Sequence, residues 1–193
     1  MISAILLAAG ESRRMGEFKQ LLPLGRKTFV EHCVDNLLSS QLGEVIVVTG
    51  YRDSDIRRVL VNRRVRFAHN PEYSLGMASS IKTGMQAVSL DARAFVLALV
   101  DQPQIETRVI NRIIDEYQAT NPLIVIPTYE GKNGHPILLD SSLREEIQRL
   151  DPAIGLRQIV KSHSNEIAHV EVSDRSVLED CDFPEDYRRI LKA

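Results

Sequence analysis

Apolar residues follow two alternating patterns along the chain. Short continuous runs, such as residues 2–7 and 94–100, are typical of strands buried on both faces of a parallel sheet. Between such runs, apolar residues recur at helical spacing, first after a capping box formed by Thr28 and Glu31. The patterns predict strands at residues 2–7, 45–49, 65–68, 94–100, 123–127, 135–139 and 167–172. They predict helices at residues 28–38, 53–60, 78–88, 106–117 and 141–150, and a short one after residue 154.

Strands that alternate with helices in this way predict a three-layer α/β domain with a mostly parallel central sheet. Hydrophobic residues make up 44% and charged residues 26% of the 193 residues, which is ordinary for a globular chain and argues against disorder. The length predicts one domain over residues 1–193.

Charge and cysteine content narrow the classes of partner. The 24 Lys and Arg residues are balanced by 26 Asp and Glu residues, so the chain offers no global attraction to nucleic acid or to a membrane surface. An arginine-rich segment at residues 52–66 is interrupted by Asp53 and Asp55, and it predicts a solvated helix face.

Two cysteines cannot build a disulfide framework. The first residues predict no signal peptide, and we expect a cytoplasmic protein.

The loop after the first strand is the first candidate for chemistry. Ligands of open α/β sheets bind outside the carboxyl ends of the strands, and residues 8–19 lie at such a position. Gly10 and its small neighbours let backbone amides approach an anion closely, while Arg14 and Lys19 can neutralise a polyphosphate. The spacing matches neither a Walker A loop nor the GxGxxG fingerprint of dinucleotide-binding proteins.

The segment Leu7-Ala8-Ala9-Gly10-x-Ser12-x-Arg14-Met15-Gly16-x-x-Lys19 resembles the signature of nucleotidyltransferases that activate small phosphorylated acceptors. Later segments resemble the successive motifs of the molybdenum cofactor cytidylyltransferases. These segments are Asn70-Pro71-x-Tyr73-x-x-Gly76-Met77-x-Ser79-Ser80, Asp101-Gln102-Pro103, Gly134-His135-Pro136 and Asp182-Phe183-Pro184-Glu185-Asp186-Tyr187. The resemblance implies a Rossmann-like, GT-A-like nucleotidyltransferase domain that joins CTP to the phosphate of molybdopterin and releases pyrophosphate.

Nucleotidyl transfer depends mostly on positioning and on charge neutralisation, which assigns roles to the residues of these motifs. Mg²⁺ needs one or two carboxylates, and the candidates are Asp101, at the end of a central strand, and Asp182, in the late acidic motif. Arg14, Lys19 and Asp101 are the predicted catalytic residues. The predicted nucleotide-binding residues are Leu7, Ala8, Ala9, Gly10, Arg14, Lys19, Ser79 and Ser80. The predicted acceptor-binding residues are Gly134, His135 and Arg157.

Several of these residues also fit structural roles. Asp101 and the two serines are good helix caps, and the neighbours Asp180 and Asp186 are alternatives to Asp182 as the metal ligand. His135 stands between Gly134 and Pro136, where backbone shape is the competing requirement.

The nucleotide and the acceptor are less constrained than the reaction type. A related branch of the family that uses GTP reads LAGG, so Ala9 favours CTP. On the acceptor side the chain departs from the family, with Lys132-Asn133 before Gly134, an altered loop at residues 150–157, and Phe183 where threonine is common. The alternatives are GTP as donor, another phosphorylated acceptor such as a sugar or polyol phosphate, and a non-catalytic carrier that delivers the cofactor to a molybdoenzyme.

Overall fold

A computed structural model describes residues 1–192 of the chain. The strands are β1 (Ile2–Leu7), β2 (Pro23–Leu24), β3 (Lys27–Thr28), β4 (Glu44–Thr49), β5 (Arg66–His69), β6 (Ala94–Leu99), β7 (Ile124–Tyr129), β8 (Lys132–Asn133), β9 (Ile137–Asp140) and β10 (Ile167–Glu171). The α-helices are α1 (Phe29–Leu38), α2 (Asp53–Val59), α3 (Met77–Ala87), α4 (Thr107–Thr120), α5 (Arg144–Gln148), α6 (Arg157–Ser162) and α7 (Pro184–Ile190). Among these described residues, no helix is both long and apolar enough to cross a membrane.

The central sheet has eight strands. Seven of them follow the order β10-β7-β9-β6-β1-β4-β5, and β8 pairs with β7. Strand β1 pairs in parallel with β4 and with β6, and β4 pairs in parallel with β5. Strand β10 pairs in parallel with β7. Strand β9 is antiparallel to both β6 and β7, and β8 is antiparallel to β7. The prediction of a mostly parallel sheet is therefore confirmed.

The sheet buries side chains on both faces, as the continuous apolar runs predicted. In β1, Ala4 and Leu6 pack with α1 and α4 on one face, while Ile5 and Leu7 pack with α3 and α5 on the other. Each fully buried Leu, Ile or Val side chain stabilises the fold by about 1.5–3 kcal/mol. This two-sided core confirms the three-layer architecture.

Helix starts show where the sequence patterns sufficed and where they did not. The predicted capping box is present, because the Thr28 amide donates to the Glu31 carboxylate at 2.7 Å. Helix α2 starts after Arg52, which is in the left-handed conformation and makes no side-chain cap hydrogen bond. Sequence analysis missed α7, since this short polar helix buries only Ile190. It also missed the two-residue strands β2, β3 and β8.

The sheet order determines where a ligand site can form. Strands β1 and β6 are adjacent and parallel, so their carboxyl ends meet at one edge. The loop at residues 8–19 follows β1, and Asp101 stands two residues beyond the end of β6. In such sheets the crevice outside the carboxyl ends is where ligands bind.

Candidate active site

An open cleft of about 310 Å³ lies at the carboxyl ends of β1 and β6. One wall is the loop after β1, which contributes residues from Ala9 to Gln20. Another wall is the start of α3 with the preceding turn, including Tyr73, Met77 and Ser80. Asp101 and Asp182 also line the cleft. The cleft therefore joins segments that are far apart in the sequence.

A buried lysine stands at the centre of the charges in the cleft. Lys19 Nζ lies 2.8 Å from Asp182 Oδ1 and 3.2 Å from Asp101 Oδ2. Burial disfavours the charged ammonium most strongly, but the two carboxylates outweigh it and raise the pKa of Lys19. Arg14 adds a second cation, with its Nη2 atom 2.8 Å from Asp182 Oδ2. Two cations and two carboxylates thus neutralise one another within the cleft.

The segment that carries Asp182 is tied directly to the end of β6. The Cys181 amide donates to the Asp101 carbonyl at 2.9 Å. The Gln102 side chain donates from Nε2 to Asp180 Oδ1 at 2.8 Å. These two hydrogen bonds bring Asp182 to Asp101 and Lys19.

The structure also separates Asp182 from its two acidic neighbours. Asp186 Oδ2 accepts hydrogen bonds from the Asp182 and Phe183 amides at the start of α7, so this carboxylate is a helix cap. Partial burial and the charges of Asp101 and Asp182 raise the pKa of Asp180, which accepts its hydrogen bond from Gln102. Of the three, only Asp182 contacts Lys19 and Arg14.

The two cleft carboxylates suit a metal that keeps other ligands. Asp101 Oδ1 is buried and accepts no hydrogen bond from residues 1–192, so it has free capacity for a cation. Within the same residues, no group of three or more His, Cys, Asp and Glu side chains could hold a metal by itself. Two carboxylates complemented by phosphate and water ligands are the usual environment of protein-bound Mg²⁺.

The two serines at the start of α3 have different environments. Ser79 does not cap α3: its Oγ atom donates toward the Glu72 and Gly76 carbonyls at 3.0 and 2.8 Å and accepts from Asn70 Nδ2 at 2.9 Å. Ser80 is buried, lines the cleft, and accepts a hydrogen bond from Asn70 Nδ2 at 3.0 Å. Among residues 1–192 its own hydroxyl hydrogen has no acceptor within the molecule. The structure therefore places Ser80 in the site and Ser79 beside it.

The residues predicted to bind the acceptor do not line this cleft. Gly134 is buried, and a Cβ atom there would lie 2.5 Å from the Val177 carbonyl oxygen. The His135 amide donates to the same carbonyl at 2.9 Å. Gly134 and His135 therefore support the segment that leads from Val177 to Asp182. Arg157 is exposed at the start of α6.

The His135 imidazole is largely shielded from water. Its Nδ1 atom is buried and has no hydrogen-bond partner among residues 1–192. Burial lowers the pKa of His135, and the nearby charge of Asp101 opposes that shift only partly. Strand β9 begins after Pro136, two residues later than predicted, because Pro136 has no amide hydrogen for the sheet.

The remaining predicted nucleotide-binding residues lie where β1 ends. Leu7, Ala9 and Gly10 line the cleft, whereas Ala8 is buried behind it and donates to the Val48 carbonyl at 2.9 Å. Sequence reasoning assigned no role to two buried amides, Gln20 and Asn70, that hold this site together. Both stand inside or next to quoted motifs, but only the fold shows what their side chains contact.

The arginine-rich segment is neutralised at the surface. Five of its six arginines, all but Arg64, pair with nearby carboxylates: Arg52 and Arg58 with Asp55, Arg57 with Asp53, Arg63 with Asp35 and Glu31, and Arg66 with Glu44. These carboxylates leave no broad basic patch of unpaired arginines around α2. The segment therefore has the features of a solvated, salt-bridged face.

Residues 4–167 match the MobA-like NTP transferase domain family. The chain belongs to this family. It is 30% identical to the molybdenum cofactor cytidylyltransferase of Escherichia coli strain K12, covering 96% of this chain and 93% of that protein. It is 28% identical to the purine catabolism protein PucB of Bacillus subtilis strain 168, covering 98% of this chain and 95% of that protein.

Solved structures share the fold of this chain. The crystal structure of Rv0371c from Mycobacterium tuberculosis H37Rv superimposes with a TM-score of 0.88 at 29% identity, covering 100% of this chain and 98% of that one. A complex of Rv0371c with manganese gives a TM-score of 0.84 at 27% identity, with the same coverage. The family and fold predictions are therefore confirmed, and the chain is a nucleotidyltransferase of MobA-like type.

Proposed function

We propose that this nucleotidyltransferase is a Mg²⁺-dependent cytidylyltransferase that joins CTP to the phosphate of molybdopterin and releases pyrophosphate. The observation that carries the proposal is the cluster of Lys19 and Arg14 with Asp101 and Asp182 beside the loop after β1. The similarity to the molybdenum cofactor cytidylyltransferase of Escherichia coli supports molybdopterin as acceptor. Ala9, in the LAAG sequence, supports CTP rather than GTP.

In the proposed reaction an oxygen of the acceptor phosphate attacks the α-phosphorus of CTP, and the bond to the β-phosphate breaks. The acceptor phosphate is already ionised at neutral pH, so no general base is required. Lys19 and Arg14 would exchange their carboxylate partners for phosphate oxygens and stabilise the pyrophosphate as it leaves. Positioning and charge neutralisation by the cleft supply the rate enhancement.

Asp101 and Asp182 would hold the Mg²⁺ ion, which when bound neutralises charge on the phosphate oxygens. The free Oδ1 atom of Asp101 supports this role. The manganese complex of Rv0371c supports a divalent metal in a protein of the same fold.

The nucleoside would occupy the wall formed by the start of α3. Ser80 has a hydroxyl hydrogen available for an acceptor on the ribose or base, and Asn70 fixes the oxygen that carries it. Arg157 is proposed to contact the acceptor from the exposed start of α6, whereas Gly134 and His135 act through the segment that carries Asp182. Residues 1–193 would form one catalytic domain, which works in the cytoplasm and hands its product to a molybdoenzyme.

The first experiment is a thermal-shift series with CTP, GTP, ATP and UTP, each with and without Mg²⁺. A nucleotide present at about 100 times its Kd stabilises the folded state by about 2.7 kcal/mol. For a chain of this size that raises Tm by roughly 5–10 °C. We expect a Mg²⁺-dependent shift that is largest for CTP. A larger shift with GTP would move the protein to the guanylyl branch.

The acceptor is tested by pyrophosphate release with CTP and purified molybdopterin, run beside a polyol phosphate such as methylerythritol phosphate. Release with molybdopterin alone is the expected result. Release with the polyol phosphate and not with molybdopterin would show that the acceptor is a polyol phosphate. Nucleotide binding to the protein without release from either acceptor would contradict the proposed transfer, and absence of any nucleotide shift would favour the carrier alternative.

A further inference from the structure

A buried glutamine organises the loop after β1. The Gln20 side chain is 1% exposed, although it follows directly after Lys19 at the edge of the cleft. Its Nε2 atom donates to the Ala8 carbonyl at 3.1 Å and to the Gly10 carbonyl at 2.8 Å. Its Oε1 atom accepts from Ser12 Oγ at 2.9 Å. One amide group thus connects three points of a loop that is otherwise held by few backbone hydrogen bonds.

The same network includes the backbone of the catalytic lysine. Ser12 Oγ accepts a hydrogen bond from the Lys19 amide at 3.1 Å while it donates to Gln20. Ser12 has a φ of 59°, a conformation that costs energy in a non-glycine residue and persists only where its surroundings hold it. The two hydrogen bonds of Ser12 join the end of β1 to Lys19.

The hydrogen bonds of Gln20 also fix the directions of two amide hydrogens. In a trans peptide the carbonyl oxygen and the following N–H point to opposite sides. With the Ala8 and Gly10 carbonyls turned toward Gln20, the Ala9 and Glu11 N–H groups point away from it. Within residues 1–192, neither N–H donates to an acceptor of the protein. Free backbone N–H groups that lie close together in a loop can form an anion-binding concavity.

We propose that Gln20 is a positioning residue that preorganises these backbone amides for the polyphosphate of the nucleotide. The inference rests on the proposed function of the cleft. The position requires a side chain that donates twice and accepts once, at the length of glutamine. Glutamate has no donors when ionised, lysine has no acceptor, and asparagine is one methylene shorter.

The test uses Gln20→Met, which keeps the length and apolar volume of the side chain but removes all three hydrogen bonds. The probe is inorganic tripolyphosphate, because it contains the polyphosphate and no base or sugar, and its Kd is measured by calorimetry well below Tm. We expect the Kd for tripolyphosphate to rise about 10- to 100-fold in this variant. The Ala9 and Glu11 amides would lose their fixed directions, and their hydrogen bonds to the charged phosphate oxygens are of the stronger kind.

The matched control is Gln148→Met, the same substitution on α5 outside the cleft. Gln148 also donates to a carbonyl, that of Lys82 at 3.2 Å, and accepts from Gln86 at 3.3 Å. We expect this variant to bind tripolyphosphate within about twofold of the unmodified protein, whatever its effect on Tm. If Gln20→Met does not fold, Ser12→Ala provides a smaller version of the same test, because it removes the two hydrogen bonds of Ser12 and leaves both donor bonds of Gln20 in place.

Amide NMR separates positioning from general stabilisation. In the unmodified protein the Ala9 and Glu11 amide resonances should shift when tripolyphosphate binds, and in Gln20→Met these shifts should be reduced. Equal affinity of Gln20→Met and the unmodified protein would overturn the role of Gln20. Failure of the unmodified protein to bind tripolyphosphate and every nucleotide would instead overturn the proposed function.

Discussion

The predicted nucleotide side and the predicted acceptor side of this protein both carry motif residues, but the fold uses them differently. On the nucleotide side, Lys19, Asp101 and Asp182 converge within hydrogen-bond distance in one cleft. On the acceptor side, Gly134 and His135 lie behind the cleft and support Val177, while Arg157 stands exposed on α6. A motif can therefore act on a ligand directly or through the segment it supports, and only side-chain contacts distinguish the two.

The largest effect should come from the cleft carboxylates. We expect Asp101→Asn and Asp182→Asn each to lower the rate of pyrophosphate release about 10²- to 10³-fold, since preorganised charge dominates this kind of catalysis. The measurement is release at saturating CTP, Mg²⁺ and acceptor.

The control for this prediction is Asp186→Asn, at the cap of α7. Asparagine keeps a side-chain oxygen that can accept the Asp182 and Phe183 amide hydrogen bonds, so the rate of this variant should stay within about threefold of the unmodified protein. A large loss in Asp186→Asn with little loss in Asp182→Asn would reverse our assignment of the metal ligand.

A smaller effect should separate the two serines of α3. Ser80→Ala removes the hydroxyl that lines the cleft. We expect nucleotide affinity to fall about 2- to 10-fold, because this is the change in Kd that corresponds to the free energy of one neutral hydrogen bond. Ser79→Ala removes hydrogen bonds to the Glu72 and Gly76 carbonyls and should lower Tm slightly without changing affinity. Calorimetry with the preferred nucleotide and thermal unfolding of both variants measure the difference. Equal affinities would place Ser80 outside the nucleotide site.

The smallest effect concerns His135 and depends on pH. Because burial lowers the pKa of His135 in the folded protein, the unfolded chain binds a proton more readily. This group therefore leaves stability unchanged above its unfolded pKa of about 6.5 and destabilises the fold as pH falls below that value. His135→Phe keeps a ring and removes the titration. We expect its Tm to decline less than that of the unmodified protein between pH 7 and pH 5.

His163 makes that comparison necessary, because its titration acts in the opposite direction. Hydrogen bonds that the His163 ring donates to the Glu166 and Glu146 carboxylates raise the pKa of His163, so its contribution to stability is present at low pH and is lost as pH rises through that pKa. Both proteins contain His163, so its contribution cancels when the Tm of His135→Phe is subtracted from that of the unmodified protein at each pH. Equal pH profiles would show that the His135 imidazole is not shielded.

Local sequence patterns determined most of the fold. The apolar runs gave the seven main strands, because burial on both faces requires a continuous apolar segment. Thr28 and Glu31 marked the start of α1 through contacts within a single turn. The loop after β1 was recognisable as a candidate ligand site, since glycine, small residues and two cations follow directly after a buried strand. All of these features depend on residues close together in the sequence.

Tertiary structure decided which side chains act together. Asp182 pairs with Lys19 across 163 residues, and α7 carries too few apolar residues to predict where it packs. The roles of Gln20 and His135 depend on what lies behind the loop and behind the antiparallel strand β9, which the apolar pattern does not encode. Periodicity records whether a residue is buried, whereas its hydrogen-bond partners depend on the order in which the strands assemble.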